Sequence, residues 1–294
     1  MNATPTRRRP AEPSPAPGAR RGLAAFLVDH RAGLGGIVVA VVAALGGWIA
    51  WESFASSVRM ARANILYPED VEVVGIGPWI LADLESEALR DASLDGGLPL
   101  DDPELARRLA RAFDIHPWVR EVVAVKLRHP AGATVEIRCR EPVAMVAVPG
   151  GLLPVDAEGI LLPSDDFTPE IAARYPKITG ISSGPRGAVG VPWGDPLVEE
   201  AAAIASVIGP EWERLDLVAC RPTTLADGQH VWELVGDDEL VIRFGSAPGH
   251  EQPGEPTAAL KVARLRALAE GAKPAGSVDL TTPAPSEPPT IPAP

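Results

Sequence analysis

Hydrophobic and polar positions along the chain fall into three regimes. From Gly33 to Trp51 the sequence GLGGIVVAVVAALGGWIAW carries no charge over 19 residues. As a helix at 1.5 Å per residue it measures about 28 Å, near the hydrocarbon thickness of a bilayer. Trp48 and Trp51 stand at one end, where interfacial anchors belong. The pattern predicts a membrane anchor at Gly33, Trp48 and Trp51, with a transmembrane helix over 33–52 and a linker over 53–63. Ala61-Arg62-Ala63 has the form of a signal-cleavage site. The apolar run is longer than a cleaved signal's and ends about a dozen residues before that site. An uncleaved anchor is the expectation.

The second regime alternates quickly. Val71, Val73 and Ile76 mark a short strand, and Leu84, Ala88 and Leu89 share one helical face. Asp102-Pro103-Glu104 reads as a helix start, followed by Leu105, Leu109 and Phe113 at four-residue spacing. Val123, Val125 and Leu127, then Val135, Ile137 and Cys139, alternate with polar residues around a turn at Pro130–Gly132. That is an antiparallel hairpin with one buried face. The order is β-α-α-β-β over 64–142.

From 143 to about 194 short apolar runs are broken by Pro and Gly, as in a twisted sheet. Asp195-Pro196 opens a helix that ends before Gly209. HVWELV and ELVIRF form a hairpin across Gly236-Asp237-Asp238, with Trp232 and Leu234 facing Leu240, Ile242 and Phe244. A last helix over 257–270 carries Leu260, Val262, Leu265 and Leu268 on its apolar side.

Charge and proline sharpen these divisions. The chain of 294 residues has net charge −12, but residues 1–62 hold eight Arg and three acids, a net of +5. The rest is therefore −17, a poor match for nucleic acid. Basic residues before the apolar run place the N-terminus in the cytoplasm, with Arg clusters that touch anionic lipid. Residues 1–32 read as a disordered basic tail, and 281–294 (TTPAPSEPPTIPAP), with six of the 32 prolines, as a second.

The run Pro117-Trp118-Val119, then Val125-Lys126-Leu127-Arg128-His129-Pro130, Val135-Glu136-Ile137 and Arg140-Glu141-Pro142-Val143-Ala144 resembles the FtsQ/DivIB family of bacterial cell-division proteins. Val155-Asp156-Ala157-Glu158-Gly159 is similar to that family's "vD..G" turn, and Tyr175-Pro176-Lys177-Ile178-Thr179-Gly180 to its "LP.l.G". Leu240–Gly245 resembles its strand ending in "LG", and Val278-Asp279-Leu280 its "iDLR".

The resemblance implies an α+β chain. A single transmembrane helix is followed by a β-α-α-β-β POTRA domain (64–142) and a mostly antiparallel β domain with helices (143–280). It also implies a bitopic divisome scaffold at the inner membrane, with extracytoplasmic domains that bind partners of the FtsB/DivIC and FtsL type. No reaction, cofactor, metal, nucleic acid or small-molecule substrate is implied. In the family the segment after "iDLR" continues as a strand that helps hold the partner. Here Thr281-Thr282-Pro283 follows, and proline cannot donate to a ladder. The expected partner-binding edge is therefore short: Leu240 and Ile242 on one strand, and Ser277, Val278, Asp279 and Leu280 on the next. The POTRA domain is the other option.

Catalytic chemistry is sparse. Gly180-Ile181-Ser182-Ser183-Gly184 matches G-x-S-x-G, which needs a strand before it and a helix after it. Pro185-Arg186-Gly187 follows instead, so a membrane-anchored hydrolase using Ser182 is the second reading and a surface loop the first. The five histidines do not pair at ligand spacing, and Asp165-Asp166 and Asp237-Asp238 read as turn residues. Cys139 falls on the buried phase of its strand. A bridge to Cys220 would have to join two predicted domains.

Overall fold

The computed structural model describes residues 31–59, 62–271 except Asp227 and Asp238, and 276–282. Residues 1–30 and 283–294, which hold nearly all of both expected tails, lie outside them.

Helix α1 spans Arg31–Arg59. Among the described residues no helix is long and apolar enough to cross a membrane. This corrects the expected transmembrane helix over 33–52. Freedom from charge is not the same as apolar area: five of the 19 uncharged residues are glycine, which contributes almost none. The helix also runs through the expected linker, past Glu52 as far as Arg59.

The body from Arg62 onward is α+β. Its first part runs β1 (Ile65–Leu66), β2 (Val71–Val74), α2 (Leu84–Asp91), β3 (Leu98–Pro99), α3 (Leu105–Asp114), β4 (Val119–Arg128) and β5 (Gly132–Cys139). Strands β2, β5 and β4 form a three-stranded sheet in that order, with β2 parallel and β4 antiparallel to β5. The Asp83 carboxylate caps α2 by accepting from the Ser86 N–H at 3.2 Å. Helix α3 buries the stripe Leu105, Leu109, Ala112 and Phe113 against this sheet. It begins at Leu105 rather than at Pro103, because Asp102 folds into a turn and accepts from the Glu104 N–H at 2.9 Å.

The second part runs β6 (Ala144–Val148), β7 (Gly151–Val155), α4 (Pro169–Ala172), β8 (Lys177–Ile178), α5 (Pro196–Ile208), α6 (Glu211–Arg214), β9 (Leu217–Thr224), β10 (His230–Gly236), β11 (Val241–Gly245), α7 (Ala258–Glu270) and β12 (Ser277–Asp279). Seven strands form one sheet in the order β12-β11-β10-β9-β8-β6-β7. It is mixed, not mostly antiparallel: β6–β8, β8–β9 and β11–β12 are parallel. Helices lie in each of those three connections, and a helical crossover returns the chain in the same direction.

Each sheet has its own core. Trp193, Trp212, Trp232 and Phe244 anchor the larger one. Phe113, Trp118 and the leucines of α2 and α3 anchor the smaller. Leu162 and Phe167, which follow β7 in the chain, pack into the smaller core, so the chain laces the two together. Helix α7 is rotated from its expected face. Leu260 is exposed while Lys261 is fully buried. The Lys261 ammonium donates to Glu255 at 2.6 Å and to the Ser246 carbonyl at 3.1 Å, and lies 4.7 Å from the centre of the Phe244 ring. A paired and hydrogen-bonded cation is tolerable in a core where a bare one is not.

Candidate partner-binding edge

Strand β12 places the predicted edge. Its register against β11 pairs Val241 with Ser277, Ile242 with Val278 and Arg243 with Asp279. The 240–244 strand is thus not itself an edge, since β10 covers one side and β12 the other. Leu240, Ile242 and Leu280 are core side chains, at most 2% exposed. They hold the strand pair and have no surface to offer a partner. Ser277 and Asp279 are exposed and Val278 is half-buried.

The ladder bonds of the β11–β12 pair include Val241 N–H to the Gly276 carbonyl (3.0 Å) and Leu280 N–H to the Arg243 carbonyl (3.0 Å). In a parallel pair the alternate residues, Ser277 and Asp279, turn their own N–H and C=O outward. The edge stops abruptly. Asp279 accepts from the N–H and hydroxyl of Thr281, and Arg264 donates to the carbonyls of Leu280 (3.2 Å) and Thr282 (2.7 Å). Gly245 ends β11 at φ +87°. A Cβ there would lie 2.1 Å from Glu255 Oε1 and 2.6 Å from Thr281 Cγ2, so only glycine fits under the departing chain.

Residues of the Pro117-Trp118-Val119, Arg140-Glu141-Pro142 and Val155–Gly159 segments converge elsewhere, where the two sheets meet. Arg140 donates to Asp156 at 2.8 Å, and both side chains are largely buried. Asp156 also accepts from the N–H groups of Glu158 (2.9 Å) and Ile160 (3.0 Å), and Arg120 pairs with Glu158. Gly190, at φ +90°, approaches so closely that a Cβ would lie 3.1 Å from Pro117 Cα. Asp166, in the doublet read as plain turn residues, is 5% exposed. It accepts from the N–H of Leu81 (2.9 Å), the N–H of Ala82 (2.7 Å) and the Trp118 indole (2.7 Å). Sequence reading missed this role. The only available signal was Phe167 beside it, an aromatic residue out of place in an exposed turn.

Trp48 and Trp51 lie on α1 and are exposed, and Gly33 lies in its first turn. Ser182 is exposed in an irregular loop with no helix after it, so the strand–turn–helix of a nucleophile elbow is not formed. Its neighbour Ser183 donates to Asp195, the N-cap of α5. His116 accepts from the Trp118 N–H, His129 meets Asn64, and His230 shares Glu200 with the Trp232 indole. Both cysteines are free. Burial pushes the Cys139 thiol above its ordinary pKa and the fully buried Cys220 thiol much further.

No family model matches the chain, and no curated protein matches its sequence.

Proposed function

We propose that the protein is a scaffold of the bacterial division machinery. It carries out no reaction itself and binds small coiled-coil division proteins of the FtsB/DivIC and FtsL type. The observation that carries this reading is the open outer side of β12. Two residues, Ser277 and Asp279, present backbone donors and acceptors on the rim of a seven-stranded sheet. Such a rim accepts an added strand: main-chain bonds give affinity and exposed side chains give specificity. The ordered motifs Pro117-Trp118-Val119, Arg140-Glu141-Pro142 and Val155–Gly159 supply the link to cell division.

A fluorescent fusion tests the cellular role. Enrichment at midcell during septation is expected, and a uniform distribution overturns the reading. Asp279→Pro tests the edge. It removes an outward N–H and leaves the β11–β12 backbone bonds in place, while Asp279→Ala separates out the accompanying loss of the carboxylate from Arg243 (3.5 Å) and Thr281: capture should fail in Asp279→Pro and persist in Asp279→Ala. Undiminished capture by Asp279→Pro, with capture lost in Val123→Asp on β4, would move the site to the smaller sheet.

A further inference from the structure

The α5–α6 corner, the start of β6 and the α4–β8 turn enclose an open groove of about 610 Å³. Its walls are rich in hydrogen-bond acceptors and poor in donors. Pro142, Pro176 and Pro210 line it and have no N–H to offer. Glu141 and Glu213 also line it, and both are exposed. An ionised carboxylate only accepts. Neither has an ion-pair partner among the described residues. Helix α5 ends at the groove, with Ser206 and Gly209 in its lining. The Gly209 N–H returns to the Ala205 carbonyl at 3.2 Å, and the carbonyls that follow lie beyond the last intrahelical donor. The negative end of the helix dipole is therefore at the groove as well.

The lining is also flat and apolar in part. The Tyr175 ring is held edge-on by Phe167, with centroids 5.7 Å apart at 82°. Burial, and after it the nearby Glu141 charge, push the Tyr175 hydroxyl above its ordinary pKa. Arg174 is the one cation among the lining residues, so two carboxylates stand against one guanidinium. The net −17 of residues 63–294 adds a field of the same sign. An incoming carboxylate meets two like charges here. An ammonium satisfies the acceptors but has no flat face to lay on a ring. A guanidinium has both: five donors, no acceptor, and a planar surface that stacks on aromatic rings.

We propose that this groove receives an arginine side chain, carried on an extended segment of a partner protein with apolar residues beside it. The guanidinium donates to the Glu141 or Glu213 carboxylate and to the last carbonyls of α5. The apolar neighbours lie against Pro142, Pro176 and Pro210. The inference stands apart from the division reading, which puts a partner on the outer side of β12.

The test titrates the peptide acetyl-Pro-Arg-Leu-Arg-Pro-amide to millimolar concentration into the isotope-labelled full chain, followed by NMR. Saturable shifts at Tyr175, Ser206 and Trp212 are expected. The same peptide with citrulline for arginine keeps the shape without the charge and should bind at least about tenfold more weakly, the usual loss for a charged hydrogen bond. Glu141→Gln and Glu213→Gln should weaken binding. Arg174→Gln, which removes the opposing charge, should tighten it. Glu239→Gln removes an equal charge from an exposed position outside the groove and should change nothing. All four positions are exposed, and the unshifted remainder of each spectrum reports the fold. The proposal is overturned if no saturable shift appears at the groove, if a glutamate-for-arginine peptide binds as well, or if Glu239→Gln weakens binding as much as the groove variants do.

Discussion

The Trp118 indole donates to the Asp166 carboxylate at 2.7 Å, across 48 residues of sequence and from one sheet's core to the segment that leaves the other sheet. Asp166 spends its second oxygen on two backbone N–H groups, of Leu81 and Ala82. One buried carboxylate thus satisfies three donors that water cannot reach.

Asp166→Asn should separate these bonds. The amide oxygen can keep Leu81 and Ala82, but the amide nitrogen then faces the Trp118 N–H, donor against donor. A loss of about 1–3 kcal/mol is expected in urea unfolding, the usual cost of a stranded buried donor. A double-mutant cycle with Trp118→Phe should show strong coupling. Additive losses would mean that the bond carries little.

Gly245→Ala should act on the last strand. The added methyl must displace Glu255 and Thr281 and must adopt a positive φ. The Arg264 clamp on Leu280 and Thr282 should loosen with them. Limited proteolysis should then cut near Ser277–Thr282, while the wild-type chain resists.

Lys261→Met should change the acid response. Burial alone pushes the Glu255 carboxyl up, but bonds from Lys261 and from the Gln252 and Ser246 N–H groups together hold it below its ordinary value. A depressed carboxylate stabilises the fold above its unfolded pKa and loses that contribution as pH falls through the folded one. Urea midpoints of the wild type should therefore fall from pH 7 toward pH 4 and below. In Lys261→Met the part of that fall due to Glu255 should shrink.

Thiol alkylation should rank the cysteines. The half-buried Cys139 reacts before the fully buried Cys220, and both should be slow at pH 8 because burial disfavours the thiolate. Mass spectrometry after a timed pulse reads this directly. Cys220 should become reactive only in denaturant.

Periodicity made several elements readable before any coordinates. The Leu105-Leu109-Phe113 stripe, the Asp195-Pro196 helix start and the Trp232/Ile242 hairpin are local patterns with a buried face, and each appears where its spacing put it. Strand direction was not readable. Whether β8 runs with or against β6 depends on how the chain crosses between them, and two-residue strands leave no periodic trace. Lys261 was unreadable for another reason: a charge reads as solvent-facing unless its partners, Glu255 and the Ser246 carbonyl, are known to be waiting. The expected transmembrane helix is not found among the described residues. At the edge, sequence reached the right strand pair, but backbone register was needed to divide its residues into buried Leu240, Ile242 and Leu280 and exposed Ser277 and Asp279.

Strand β8 has a mechanical consequence. Two residues, Lys177 and Ile178, provide all the strand pairing between the β7–β6 block and the β9–β12 block. Flanking bonds from the Met145 N–H to the Pro176 carbonyl (2.8 Å) and from the Thr179 N–H to the Cys220 carbonyl (2.9 Å) extend that pairing by one step at each end. The backbone pairing of a sheet seven strands wide therefore narrows to a seam two residues long, and the shared core, with α5 packed against β6, β8 and β9, carries the rest of the hold between the two blocks.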